Sequence, residues 1–187
     1  MSRRTVRAVA LLLLLLSAGL AACTGAAATS TPTAAPAAGV VLQKILNDCW
    51  GVTQLTELDG RRQDHKDGFA CARTRLLQMA RDYPDAAEPH RVLAWGYLYA
   101  MQDEAAAVAE YERAAQIYGR EGFKSEQAAI LLQLGQLAMQ HDRRSGCGLL
   151  NQAADLDPQN SRAAQLLQNF QCVPHGTPAG PALTATP

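Results

Sequence analysis

Residues 88–118 read EPHRVLAWGYLYAMQDEAAAVAEYERAAQIY, and apolar side chains recur in them every three or four residues. This is the period of an amphipathic α-helix, and it is interrupted between Met101 and Asp103. Ala, Leu, Gln, Glu and Arg, which favour helices, are abundant throughout the chain beyond Asp67, and β-branched residues are few. The sequence therefore predicts an all-α domain.

Seven helices are predicted, and residues typical of helix starts precede or begin several of them. Asp85 with Glu88 marks the start of the third helix, Ser125 is expected to cap the fifth, and Asn160 or Ser161 the last. Residues 53–67 are predicted only as a loop with some helix. The expected helices are 40–49, 68–82, 88–101, 103–118, 125–140, 146–156 and 161–171.

Two segments of this helical region align with one another. Gly96 and Gly135 correspond, as do Ala114 and Ala153, and small residues at these positions allow helices to approach closely. The aligned residues are Val92, Trp95, Gly96, Tyr99, Ala107, Tyr111 and Ala114 against Leu131, Leu134, Gly135, Ala138, Gly146, Leu150 and Ala153.

This pattern resembles the tetratricopeptide repeat, a helix pair with a small residue at the crossing. The resemblance implies a short helical-hairpin solenoid, with a degenerate repeat before residue 88 and a capping helix after Pro158. The turn between the helices is one residue short, and the period from Gly96 to Gly135 exceeds the family's roughly 34 residues. Because three repeats are usually needed for stability, a generic helical bundle remains the alternative.

The resemblance also implies that the first helix of each pair lines a concave groove. Leu93 and Leu132 could equally pack against a neighbouring helix. Tyr97 and the two methionines form a surface suited to an extended or helical peptide. The predicted groove residues are His90, Leu93, Tyr97, Met101, Leu132, Gln136, Met139 and Gln140, with Arg162, Gln165 and Asn169 added by the last helix.

The first 22 residues are typical of a secretory signal. Arg3, Arg4 and Arg7 precede an apolar run at 8–16, which is too short for the roughly 20 residues of a membrane span. The segment ends Leu20-Ala21-Ala22-Cys23, which resembles the lipobox of bacterial lipoproteins. The resemblance implies cleavage before Cys23 and lipid on its sulfur; an ordinary signal cut elsewhere is the alternative. The arginine pair is a weaker hint of twin-arginine export.

Composition divides the remaining chain into three parts. Apart from Cys23, residues 23–39 are almost all small residues or proline, and this composition predicts a flexible tether. Residues 173–187 predict a disordered, proline-rich tail, which leaves 40–172 as one domain. Removal of the signal takes three arginines from an otherwise balanced chain, so the mature protein is mildly acidic. Because the sequence has no run of basic residues, its charge pattern gives no reason to expect binding to nucleic acid.

Four cysteines remain after Cys23, and an even number in an exported protein indicates disulfides. The sequence alone permits three pairings. In the helical interpretation, antiparallel helices bring Cys49 close to Cys71 and Cys147 close to Cys172. This local pairing is the one predicted. Structural disulfides are favoured over a redox or zinc-binding role, because no Cys-x-x-Cys motif or paired zinc-ligand spacing is present.

No motif of a known catalytic class is recognised, and neither a cofactor, a metal nor a small-molecule substrate is predicted. His65 stands between Asp64 and Asp67, where a metal cluster is conceivable but a solvated polar loop is favoured. A cell-envelope enzyme using Asp64 and His65 is kept only as an alternative.

The sequence predicts a non-enzymatic, lipid-anchored adaptor that binds another protein outside the cytoplasm. Because Thr24 is not the aspartate that retains enteric lipoproteins at the inner membrane, the outer membrane is expected where the cell has one. Otherwise the outer face of the cytoplasmic membrane is expected. The second hypothesis is a pilot lipoprotein for a pilus or secretion channel.

Overall fold

Seven α-helices make up most of the computed structural model, which describes residues 36–60 and 65–173. No β-strand occurs in those residues, so the all-α prediction is confirmed. The predictions for the signal, Cys23, nearly all of the tether and most of the tail lie outside them. The helices are α1 (Ala38–Trp50), α2 (His65–Asp82), α3 (Glu88–Gly96), α4 (Glu104–Glu121), α5 (Lys124–Ala138), α6 (Arg143–Leu156) and α7 (Ser161–Asn169).

Three of the helices begin at a capping side chain. Asp103 accepts a hydrogen bond from the Ala106 backbone N–H at the start of α4, and Asp142 accepts two at the start of α6. Asn160 accepts from the backbone N–H groups of Arg162 and Ala163, and this confirms one of the two caps predicted for α7. Each such cap satisfies a backbone donor that the helix itself leaves unpaired.

The cap predicted at Ser125 is wrong, because Ser125 lies inside α5. Gly122 adopts a left-handed conformation with φ of 80°, and this closes α4. The Phe123 N–H then donates to the Tyr118 carbonyl at 2.9 Å, so α5 begins immediately at Lys124. The tight turn fixes the start of the helix without a side-chain cap.

The predicted third helix is observed, but its last turn is wider than an α-helix. Tyr97–Met101 forms a π-helical turn directly after α3, and it ends at Gln102 with φ of 57°. The Asp103 N–H donates to the Tyr97 carbonyl at 2.9 Å across this end. Such π turns often occur at functional positions.

The poorly predicted stretch after α1 contains a 3-10 helix, Leu55–Gly60. Val52 and Leu58 are both buried, so this stretch belongs to the core. The sequence offered only isolated apolar residues among polar ones here, and these do not give a helical period.

Each helix packs mainly against the helices before and after it in the chain, from α1 with α2 to α6 with α7. Two hydrophobic cores result. One lies among α1, α2 and α3 and contains Ile45, Phe69 and Leu76; the other lies among α4 to α7 and includes Leu132 and Leu150.

Two disulfides connect neighbouring segments at the ends of the domain. Cys49 of α1 bonds to Cys71 of α2, with their Cα atoms 5.6 Å apart. Cys147 of α6 bonds to Cys172, just after α7, with a Cα–Cα distance of 5.4 Å. The predicted pairing is therefore confirmed. Disulfides are typical of oxidising compartments outside the cytoplasm. None of the described helices has both the length and the hydrophobicity to cross a bilayer.

Candidate functional site

Leu93 and Tyr97, two of the residues predicted to line the groove, are buried in the core instead. Leu93 is 0% exposed and lies in the core, as does Leu132 on α5. The Tyr97 ring packs edge-on against Phe69, with ring centroids 5.3 Å apart, and the Arg73 guanidinium lies 5.5 Å from the Tyr97 centroid. The alternative of packing against a neighbouring helix is thus the observed one for both leucines. An apolar helix position alone does not tell which neighbour will cover it.

His90, at the start of the same face, is also buried. Its Nδ1 lies 2.6 Å from a carboxylate oxygen of Glu110 on α4, and both side chains are shielded from solvent, at 9% and 14% exposure. This contact ties α3 to α4 through a polar pair within a largely apolar interface. His90 therefore has a packing role in the described structure.

The other predicted groove residues are dispersed over α5, α7 and the end of the π turn. Met101 is half exposed, Gln136 donates to the Leu132 carbonyl of its own helix at 3.1 Å, and Met139 packs over Gly146. The remaining members are exposed side chains at the end of α5 or on α7: Gln140, Arg162, Gln165 and Asn169.

The aligned glycines are both sites of close helix approach, as predicted. A Cβ atom at Gly96 would lie 2.0 Å from the Phe69 ring on α2, and one at Gly135 would lie 2.8 Å from Leu150 on α6. The nearest neighbour is therefore the preceding helix in one case and the following helix in the other. The two aligned segments do not have equivalent surroundings.

An open cleft runs between α4 and α6, with α5 as its floor. We call it the α4–α6 cleft; it has a volume of about 640 Å³. Leu131 and Leu134 lie on the floor, Val108 on the α4 wall and Leu149 on the α6 wall. Its full lining is Glu104, Val108, Glu112, Ala115, Gln116, Gln127, Leu131, Leu134, Ala138, His141, Ser145 and Leu149.

The rim of the α4–α6 cleft is acidic. Glu104 and Glu112 stand on α4, and His141 Nε2 lies 2.8 Å from a Glu104 carboxylate oxygen. Among the described residues, no arginine or lysine lines the cleft, so the formal charge of this lining is negative when His141 is neutral. An apolar floor inside an acidic rim favours a ligand that carries both apolar and basic groups.

Sequence reasoning missed this cleft because it assigned the binding surface to the third, fifth and last helices and not to α4 and α6. The signal was present on α4, where Glu104, Val108, Glu112 and Ala115 follow one another at helical spacing. A mixed stripe of this kind is also typical of an ordinary solvated helix face, so the sequence alone does not distinguish the two.

A smaller cleft of about 190 Å³ lies between α3 and α5 and is closed on one side by Leu58. Trp95, Tyr99 and Tyr111 give it an aromatic lining. Arg91 also lines it. Burial, reinforced by the negative charge of Glu88, raises the pKa of the nearby Tyr118 hydroxyl to about 12, whereas the positive charge of Arg91 acts to lower this pKa.

Across residues 36–60 and 65–173, no three His, Cys, Asp or Glu side chains are grouped as a metal site would require. Asp64, one member of the polar stretch around His65, lies outside those residues.

The fold and the clefts define a disulfide-bonded, all-helical protein with an open apolar cleft and no recognised catalytic constellation among its described residues. No protein-family model matches the chain, and no curated protein or solved structure shows a significant match to it.

Proposed function

We propose that this protein is a membrane-anchored lipoprotein outside the cytoplasm that binds a segment of another protein in the α4–α6 cleft. The observation that carries the binding proposal is the open cleft itself, in which the partly exposed Val108 and Leu149 and the more deeply set Leu131 and Leu134 lie inside a rim of Glu104 and Glu112. The expected partner segment presents apolar side chains flanked by lysine or arginine.

The anchoring proposal rests on the segment ending at Cys23 and on the two disulfides. Disulfides favour a compartment outside the cytoplasm, and the lipobox-like sequence supplies a means of staying there on a membrane. Two or more acyl chains are enough for stable attachment. The small-residue stretch after Cys23 would give the domain reach from the bilayer.

A degenerate tetratricopeptide arrangement is the finer fold that we propose. It is supported by packing between successive helices and by close approaches at Gly96 and Gly135. The different surroundings of these two glycines count against a regular repeat. In this proposal the second helices, α4 and α6, form the binding cleft rather than the first.

Lipidation is tested by metabolic labelling with a fatty-acid analogue in a bacterial host. The wild-type chain should carry the label and sediment with membranes, whereas Cys23→Ser should lose the label and leave the membrane fraction. Thr24→Ala, the adjacent substitution, should behave as wild type. Unlabelled wild-type protein would refute the lipoprotein proposal.

Binding is tested by placing a photo-crosslinking residue at Glu112 on the cleft rim and, as control, at Glu121 at the end of the same helix; both side chains are exposed. A partner should be captured at residue 112 only. A peptide copied from the captured segment should bind the full-length protein, and Val108→Arg should weaken that binding by about tenfold or more, because it adds bulk and positive charge to the cleft. Equal capture at both positions would rule out the cleft as the binding site.

A further inference from the structure

A second cleft lies on the other side of α4, between α4 and α2, and we propose that it binds an acidic segment of a protein through Arg81, Arg113 and Arg120. We call it the α2–α4 cleft; its volume is about 430 Å³. It shares only Gln116 with the α4–α6 cleft, so this proposal does not depend on the proposed function.

The two walls of the α2–α4 cleft are single faces of helices. On α4, Arg113, Ile117 and Arg120 are three or four residues apart and therefore lie on one side of the helix. On α2, Leu77 and Arg81 have the same relation, with Ala80 beside them. The floor comes from α3, where His90 and Leu93 are buried.

The three guanidinium groups are poorly compensated by acids. Arg113 makes no ion pair or hydrogen bond with any other residue in the described part of the chain. Arg81 donates to the neutral amide of Gln78 at 2.7 Å. Arg120 lies 3.5 Å from Asp85, and both side chains are mostly exposed, at 62% and 75%. An exposed pair at this distance contributes little.

The one carboxylate that lines the cleft is already engaged. Glu110 lies against His90 Nδ1 at 2.6 Å, and its side chain is only 14% exposed. It does not form an ion pair with any of the three arginines. The cleft therefore carries three positive charges against one internally hydrogen-bonded acid, in a protein whose mature chain is mildly acidic.

A carboxylate is the group that fits this chemistry, because the planar arginine fork donates two parallel hydrogen bonds to it. Leu77 and Ile117 provide apolar surface for side chains next to the carboxylates. The floor is recessed between two helices, where an extended segment with protruding side chains can reach it and a flat bilayer surface cannot. An acidic, partly apolar peptide is therefore favoured over an anionic membrane.

The test uses the full-length protein and a fluorescein-labelled peptide of alternating Glu and Leu. The peptide should bind saturably, and the affinity should fall as salt is added. Arg113→Gln should weaken binding by about tenfold, which corresponds to roughly 1.4 kcal/mol. Arg162→Gln on α7, an exposed arginine remote from the cleft in the chain, should leave the affinity unchanged. Circular dichroism of each variant checks that the helices are retained.

Three results would overturn the proposal. The first is an absence of saturable peptide binding. The second is an equal loss of affinity in Arg113→Gln and Arg162→Gln, which would indicate attraction to the whole surface. The third is binding to phosphatidylglycerol vesicles, weakened by Arg113→Gln, without any binding of the peptide; the arginines would then contact a membrane.

Discussion

Two glycines in this protein make room for aromatic rings. Gly96 on α3 lies directly under Phe69, and Gly68 on α2 lies under the Trp50 indole, 2.0 Å from Nε1 to where a Cβ would stand. The Trp50 Nε1 is buried and has no hydrogen-bond partner in the described structure. Leaving such a donor buried and unpaired costs about 1–3 kcal/mol.

We expect Gly96→Ala to destabilise the protein by about 1–3 kcal/mol, because the added methyl would overlap the Phe69 ring. Gly148→Ala is the matched control: nothing lies within 4 Å of its Cβ position in α6, so alanine should stabilise by up to about 1 kcal/mol. Urea denaturation of both variants measures the expected decrease and increase in the free energy of unfolding. A Gly96→Ala protein as stable as the Gly148→Ala protein would contradict the described packing.

A second prediction for a single residue concerns Tyr118 and the stability of the protein at alkaline pH. Its pKa is raised to about 12 by burial, compared with 10.0 for an ordinary tyrosine. Between these values the unfolded chain loses the phenol proton and the folded chain keeps it, so stability should fall as pH rises from 10 to 12. Tyr118→Phe should reduce this fall. Ultraviolet titration of the phenolate, compared between the two proteins, measures it; identical titration curves and pH dependence would count against burial of the hydroxyl.

Among the elements, all seven helices could be predicted, because the period of apolar residues and the caps at the helix starts are local signals. Even the change of direction near Met101 was visible as a break in the period. The 3-10 turn at Leu55–Gly60 and the π turn at Tyr97–Met101 could not be predicted, because tertiary contacts of residues such as Leu58 determine them. Helical spacing specifies an element but not its exact hydrogen-bond pattern.

The shortest helices illustrate how elements depend on their neighbours. α7 has only 9 residues, and isolated helices below about 12–15 residues are marginal in water. Arg143 donates to the carbonyls of Phe170 and Gln171, and the Cys147–Cys172 bond joins the end of α7 to α6. These links hold α7 in place more than its own propensity does.

Removal of the second disulfide, by Cys147→Ser with Cys172→Ser, should lower the free energy of unfolding by about 3 kcal/mol. Amide hydrogen exchange should increase most in α7. Replacement of Cys49 and Cys71 together is the control, and it should leave exchange in α7 unchanged while increasing it in α1. Unaltered exchange in α7 after loss of Cys147–Cys172 would show that packing alone retains this helix.

For the whole molecule, the disulfide pairing could be predicted because neighbouring antiparallel helices bring local cysteines together. The location of the clefts could not. Leu93 and Leu132 belong to the same residue class as the half-buried Leu149, and the packing of neighbouring helices decides which of them remains partly accessible. The groove predicted from the sequence and the α4–α6 cleft are therefore lined by different residues.

At the same scale, α4 separates two clefts of opposite charge. Glu104 and Glu112 face the α4–α6 cleft, whereas Arg113 and Arg120 face the α2–α4 cleft. Adjacent residues 112 and 113 therefore point to different sides of one helix. The two proposed binding activities can be separated by substitutions within α4 alone, with Glu112 for one and Arg113 for the other.

The Cys49–Cys71 bond also determines what happens if the loop after α1 is cut. This loop connects α1 to α2 and includes the 3-10 turn, and the disulfide spans it from one helix to the other. A protease that cleaves between these two cysteines would leave two fragments held together covalently. Everything N-terminal to α1 would remain attached to the other helices, and the nick would appear on a gel only after reduction.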